Sequence, residues 1–148
     1  FPVSNQDTTG LETLIHHLFD KIDSCYDDEI RKYEAYLCED ADVLVVSIGI
    51  TSRSARSAVK QAREMGIKAG LFRPVTMWPF PHQDFSSYVE RSKAVVTAEM
   101  NSGQLNQVVI EDIDRNQKLF MKNLYDGNQI RDIDILNSII EANKYEIH

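Results

Sequence analysis

The run Asp42-Val43-Leu44-Val45-Val46-Ser47-Ile48-Gly49-Ile50-Thr51-Ser52-Arg53-Ser54-Ala55 decides the fold. Val43 to Ile48 is apolar at nearly every position rather than at every second one, so both faces of the extended segment need cover. That is the pattern of an inner strand of a parallel sheet. Gly49 ends the strand. Thr51 and Ser52 are N-cap residue types, and Ala55, Ala58, Val59, Ala62 and Met65 fall on one helical stripe that Gly66 closes as a C-cap.

Downstream of this strand, turn and helix the cycle repeats. A strand is expected over Ile67–Phe72, a helix from about Asp84 to Arg91, a strand over Ala94–Ala98, a helix running to Asp114, an apolar segment over Leu119–Leu124 and a closing helix over Asp132–Ala142. Strands and helices alternating at this spacing predict an α/β fold, a three-layer α/β/α sandwich on a mostly parallel sheet. Upstream, Leu11, Leu14, Ile15, Leu18, Ile22, Cys25, Tyr26, Ile30, Tyr33 and Leu37 recur at helical spacings, with a break near Ser24–Asp28. Residues 11–42 therefore read as a connecting helical segment, residues 1–10 as a linker, and 43–148 as the α/β domain. The first residue is Phe1, so a piece of a longer polypeptide is expected.

The formal charge is −7, with 43% hydrophobic and 26% charged residues. An acidic chain lacks the basic surface that nucleic acid requires. No apolar run approaches the length of a membrane span and no signal-peptide pattern opens the chain, so a cytoplasmic protein is expected. Cys25 and Cys38 lie too far apart along the expected helix for a disulfide, and both read as free thiols. Of the four histidines, His16 and His17 are adjacent and cannot share a helix face, and His82 and His148 have no evident ligand neighbours. No metal site is expected.

Four places could carry function. The turn Gly49, Thr51, Ser52, Arg53 stands between a strand and a helix N-terminus, where amides, hydroxyls and a guanidinium could face an anion, with a satisfied helix cap as the plainer reading. Past it, Arg53, Arg56, Lys60 and Arg63 form a basic stripe on one helix side, either solvated or a docking strip for an acidic partner. The segment Leu71-Phe72-Arg73-Pro74-Val75-Thr76-Met77-Trp78-Pro79-Phe80-Pro81 holds three of the four prolines and the only tryptophan. Prolines stop both helix and inner strand, so a rigid apolar loop is expected, with Trp78 and Phe80 as core plug or interface anchor. Glu99-Met100-Asn101-Ser102-Gly103-Gln104 follows the third strand, where Glu99 and Asn101 could orient polar groups and Asn101 or Ser102 could cap the next helix.

Together the Arg-Pro-x-Thr-x-Trp-Pro-Phe-Pro segment at Arg73–Pro81 and the Glu-Met-Asn-x-Gly-Gln segment at Glu99–Gln104 resemble the carboxyl-terminal part of the α subunit of 2-oxoacid:ferredoxin oxidoreductases. The likeness is strongest to the 2-oxoglutarate enzymes and covers about residues 20 to 114. It implies a domain similar to the carboxyl-terminal domain of transketolase. It also implies a parent enzyme that uses thiamine diphosphate, Mg, iron–sulfur clusters and coenzyme A to convert a 2-oxo acid to an acyl-CoA and CO2. Expected partners are an upstream pyrimidine-binding domain of the same subunit, a β subunit and ferredoxin.

No catalytic residue is expected in this fragment and no cofactor bound by it alone. It has no Gly-Asp-Gly with a downstream Asn-Asn pair for a Mg–diphosphate, and two cysteines cannot build a four-cysteine cluster site. The implied role is structural, with Arg73, Pro74, Trp78, Pro79, Phe80, Glu99, Asn101 and Gln104 as interface candidates. Where the family more often has a second small residue and a tyrosine, this chain has Ser47-Ile48-Gly49-Ile50. The alternatives are a small-molecule or phosphate-binding α/β module using Thr51, Ser52 and Arg53, and an interaction module whose basic stripe docks ferredoxin.

Overall fold

A computed structural model describes residues 8–24 and 30–145. In chain order its elements are helix α1 (Thr8–Ser24), strand β1 (Tyr33–Tyr36), β2 (Val43–Ser47), α2 (Thr51–Glu64), β3 (Ala69–Pro74), α3 (His82–Val89), β4 (Ala94–Glu99), α4 (Gln104–Val109) with a 3-10 turn over Ile110–Asp112, β5 (Lys118–Asn123) and α5 (Asp132–Asn143). The five strands form one sheet in the order β1-β3-β2-β4-β5. β2, β3, β4 and β5 run parallel, and β1 joins the β3 edge antiparallel with Tyr33 opposite Pro74.

The consecutive apolar run of β2 is explained by the two layers that cover it. Val43 and Val45 face the α2 and α5 side with Ala55, Val59, Ile135 and Ile139. Leu44 and Val46 face the other side with Phe72, Phe85, Val89, Leu105 and Val109. All of these side chains are buried. Removing each large one from water contributes roughly 1.5–3 kcal/mol, which is the main force holding the three layers together. Gly70 is required by packing: a Cβ there would lie 2.6 Å from the Leu37 carbonyl oxygen and 2.8 Å from Cys38 Cα, so β3 admits no larger residue where the chain enters from β1.

The segment before β2 differs from the sequence reading. The helical stripe is realised only in α1, Cys25 and the expected break at Asp28 lie outside the described residues, and Tyr33–Tyr36 form an edge strand instead of a helix. The apolar spacing of Tyr33 and Leu37 fitted a helix, but pairing with β3 satisfies four backbone positions that a helix end would leave open. Thr8 to Gly10, expected as linker, begin α1. Cys38 is a free, buried thiol, and burial pushes its pKa to about 11. Among the described residues no helix is long and apolar enough to cross a membrane.

Candidate functional site

From β2 the chain moves first to β3 on one side and then to β4 on the other. Order reversal of this kind leaves a crevice outside the carboxyl ends of β2 and β4, where the two helix-bound turns diverge. Buried polar residues gather at the same place. Of the seven among the described residues, Ser47, Thr51, Ser52, Thr97, Glu99 and Asn106 lie at this end and only Ser92 lies elsewhere.

Each has a local task. The Ser47 hydroxyl donates to the Ala98 carbonyl at 2.9 Å, tying β2 to β4, and the Ser52 hydroxyl donates to the Ser47 carbonyl at 3.0 Å. Glu99, fully buried, accepts the backbone amides of Leu105 at 2.8 Å and Asn106 at 3.2 Å, so its carboxylate caps α4 from the strand side. Asn101 Oδ1 accepts the amides of Gly103 at 2.9 Å and Gln104 at 3.1 Å. Below them the Thr97 hydroxyl bonds Asn106 Oδ1, and Asn106 Nδ2 donates to Asn123 Oδ1 at 3.3 Å. Gly103 takes φ +109°, and a Cβ there would sit 3.1 Å from Asn106 Nδ2. The network fixes the Met100–Gly103 turn from beneath, and it offers no nucleophile or free base to the outside.

The anion turn is not assembled as expected. Ile50, not Thr51 or Ser52, holds the N-cap position, with no side-chain cap bond. Thr51 and Ser52 are buried, and the amides of Ser52 and Arg53 are already bonded to the carbonyls of Gly49 and Ile50. The Ser52 hydroxyl turns inward onto the Ser47 carbonyl at the end of β2. Gly49 stays exposed, and Arg53 lines a cavity of about 360 Å³ with Ser54, Ser57, Gln129, Ile130, Arg131 and Asp132. In that cavity Arg131 is paired with Asp134 at 3.0 Å, and Ser57 and Gln61 both donate to Asp132, each at 2.9 Å.

The basic stripe is partly spent inside the fold. Arg63 forks onto Asp40 at 2.7 and 3.0 Å and donates to the carbonyls of Leu37 and Ala69. That hydrogen bonding holds the Asp40 carboxyl below the usual carboxylate range. The Arg56 guanidinium lies 4.3 Å above the Tyr36 ring.

The expected interface residues separate by burial. Arg73 and Pro74 belong to β3, not to the loop: Arg73 pairs with Glu34 at 2.9 Å and Pro74 is buried opposite Tyr33. Phe80 is buried among Phe72, Phe85 and the His82 ring, so it is a core plug. Glu99 is likewise interior. Trp78 projects instead, 63% exposed, with the Phe19 ring of α1 edge-on to it at 6.3 Å and Pro79 half-buried beside it. Asn101 is half-buried with its Oδ1 bonded to the Gly103 and Gln104 amides, and Gln104 is exposed.

Sequence reasoning missed one constellation. His82 Nδ1 lies 2.6 Å from Asp112 Oδ2, and Ser86 donates to the other oxygen of the same carboxylate at 2.5 Å. The serine bonds the carboxylate and not the imidazole, so this is a clasp between α3 and the 3-10 turn, not a nucleophile with its base. Thirty residues separate its partners in the chain, and nothing local signals the pairing.

Among the described residues no group of three or more His, Cys, Asp or Glu could hold a metal ion. The Glu99 carboxylate at the crevice is committed to the Leu105 and Asn106 amides. These described residues do not fit a Mg–diphosphate or an iron–sulfur cluster.

Residues 41–136 match the family described as "Pyruvate:ferredoxin oxidoreductase core domain II". Ketoisovalerate oxidoreductase subunit VorB of Methanothermobacter marburgensis is 38% identical over 91% of this chain, and 2-oxoglutarate synthase subunit KorA of Methanothermobacter thermautotrophicus is 36% identical over 91%. The chain spans only 38% and 36% of the lengths of those relatives. In structure, the 2-oxoglutarate:ferredoxin oxidoreductase of Magnetococcus marinus superposes with TM-score 0.81 at 24% identity, over 96% of this chain and 25% of that one. A split-gene transketolase superposes with TM-score 0.63 at 21% identity, over 76% of this chain and 41% of that one. The three-layer fold predicted from alternating strands and helices is thus a transketolase-like one, and the chain belongs to the pyruvate:ferredoxin oxidoreductase core domain II family.

Proposed function

We propose that this chain is the carboxyl-terminal, non-catalytic domain of the α subunit of a cytoplasmic, thiamine diphosphate-dependent 2-oxoacid:ferredoxin oxidoreductase that forms acyl-CoA, with 2-oxoglutarate as the oxo acid. Its task is to buttress the upstream pyrimidine-binding domain and contact neighbouring subunits, among them the β subunit. The observation that carries this reading is Trp78, a large exposed aromatic on a proline-braced loop whose own core contact is made by Phe80 instead. A rigid loop loses little entropy on docking, and tryptophan is a common interface anchor. The domain is taken to begin at β1, since Tyr33–Tyr36 complete the sheet.

The test is the native complex purified through a tag on this chain. It should reduce ferredoxin on addition of coenzyme A and 2-oxoglutarate, with ketoisovalerate as the second substrate because a ketoisovalerate subunit is as similar as a 2-oxoglutarate one. Activity with neither overturns the enzymatic reading, and activity with ketoisovalerate alone overturns the substrate. Thiamine diphosphate titrated into the isolated chain should give no heat, and tight binding would overturn the non-catalytic assignment.

A further inference from the structure

Of the six glycines, Gly127 alone follows an aspartate or asparagine. The turn Asp126-Gly127-Asn128 lies in the connection from β5 to α5, and residues 125–129 are all exposed. Gly127 takes φ +87°, and a Cβ built there would meet nothing within 4 Å. Its amide has no bonded acceptor among the described residues. A glycine after an aspartate brings no side chain that would hinder its own nitrogen from reaching the aspartate Cγ and closing a five-membered ring.

The carboxylate is held at both oxygens by the residue beyond the glycine. Asp126 Oδ1 accepts the Asn128 amide at 3.0 Å, and Oδ2 accepts Asn128 Nδ2 at 2.9 Å. The Asn128 side chain, and then its backbone amide, hold the Asp126 carboxyl below the usual carboxylate range. Ring closure needs the opposite state. An oxygen leaves Cγ as water only once it is protonated, and protonation competes with the donor that each oxygen already accepts.

We infer that Asp126 is a site of slow isomerisation to isoaspartate and that Asn128 is the residue that restrains it. In the first step the Gly127 nitrogen bonds to Asp126 Cγ, and the carboxyl OH departs with the amide hydrogen as water, leaving a cyclic imide. Water then adds to one of the two imide carbonyls. Opening at Cγ restores aspartate, whereas opening at the Asp126 main-chain carbonyl leaves the chain running through the side chain with a free α-carboxylate. One water leaves and one returns, so the conversion needs no oxidant, reductant or cofactor. The methylene gained by the backbone falls in the exposed connection, ahead of Ile130, which is 1% exposed in the core, and of the Arg131–Asp134 pair that starts α5. The inference does not rest on the proposed oxidoreductase role.

The test incubates the native complex at mildly acidic pH in heavy-oxygen water and then digests it. Each ring opening leaves one heavy oxygen, and electron-transfer fragmentation separates the aspartate and isoaspartate forms of the peptide that carries Asp126. Label and isoaspartate should accumulate at Asp126 but not at Asp114 or Asp132, which are followed by Arg115 and Ile133. Asn128→Ala should speed both several-fold. Equal labelling at the three aspartates, or none at Asp126 in either protein, overturns the site. Equal rates in the parent and in Asn128→Ala overturn the restraint. The parent unfolded in urea makes the same comparison without a variant: Asp126 should cyclise faster there, and a folded rate as high as the unfolded one overturns the restraint as well.

Discussion

The two ends of the sheet are made of different material. At the amino end, the residues leading into β2, β3, β4 and β5 are Asp42, Lys68, Lys93 and Gln117, and the adjoining cavity is lined by Glu90, Glu111, Asp112 and Asp114. At the carboxyl end, the same four strands run out into Ile50, Val75, Met100 and Tyr125, over a buried layer of hydrogen-bonded polar groups. There Asp42 and Lys68 are exposed to water, while Lys93 donates to the Asn143 carbonyl and Gln117 to the carbonyls of Val89 and Ser92. Apolar groups held above a rigid polar layer are exposed without being able to fold inward, which is the condition of a surface built to be covered.

The sharpest way to break this contrast is to remove the layer beneath the carboxyl rim. Glu99→Ala leaves two buried amides without an acceptor and should cost about 3 kcal/mol in denaturant unfolding, with a loss under about 1 kcal/mol showing that the α4 cap is dispensable. At the amino end Gly70→Ala pushes a methyl into the Leu37 carbonyl, and about 2 kcal/mol should be lost. An unchanged midpoint there would mean that the β1 connection gives way freely. Trp78→Ala should change the stability of the chain by less than about 1 kcal/mol while weakening subunit association tenfold or more. Equal loss in both measurements would make Trp78 a core residue.

pH separates the two ends further. Asp40, at the amino end, is held below its ordinary value chiefly by the hydrogen bond from Arg63. Its contribution is complete above the unfolded carboxylate value and is lost as pH falls through the folded one, so Asp40→Asn should flatten the acid limb of a melting curve. Tyr33, opposite Pro74 at the carboxyl end of β3, is pushed up to about 12 by burial and then by Asp84. Its contribution is complete below the unfolded phenol value of about 10 and is lost between there and about 12, so Tyr33→Phe should flatten the alkaline limb. An acid or alkaline limb that keeps its slope in the matching variant would detach that group from its end of the sheet. Smallest of all, Lys68→Ala should stay within about 0.5 kcal/mol of the parent, and a larger change would show that the amino rim is not merely solvated.

Most of the fold was legible because β2 and β4 are runs of consecutive apolar residues and α2 and α5 carry apolar stripes at helical spacing, and both patterns are local properties of sequence. Where they failed, the deciding partner was distant. Tyr33–Tyr36 became a strand because β3 offered an open edge some 40 positions later, and the Ser52 hydroxyl turned inward because the Ser47 carbonyl at the end of β2 accepts it. The candidate site was half legible. Asn101 as a cap follows from residue type, but whether Trp78, Phe80 and Glu99 lay inside or outside did not.

The sequence by itself determined the alternation of strands and helices, the rigid proline loop, and a family likeness written in two short motifs. Only the tertiary structure decided which of those motif residues face outward. Burial is a relation between a side chain and every element packed around it: Phe80 and Trp78 stand two positions apart with like composition, yet Phe72 and Phe85 cover one and leave the other at the surface.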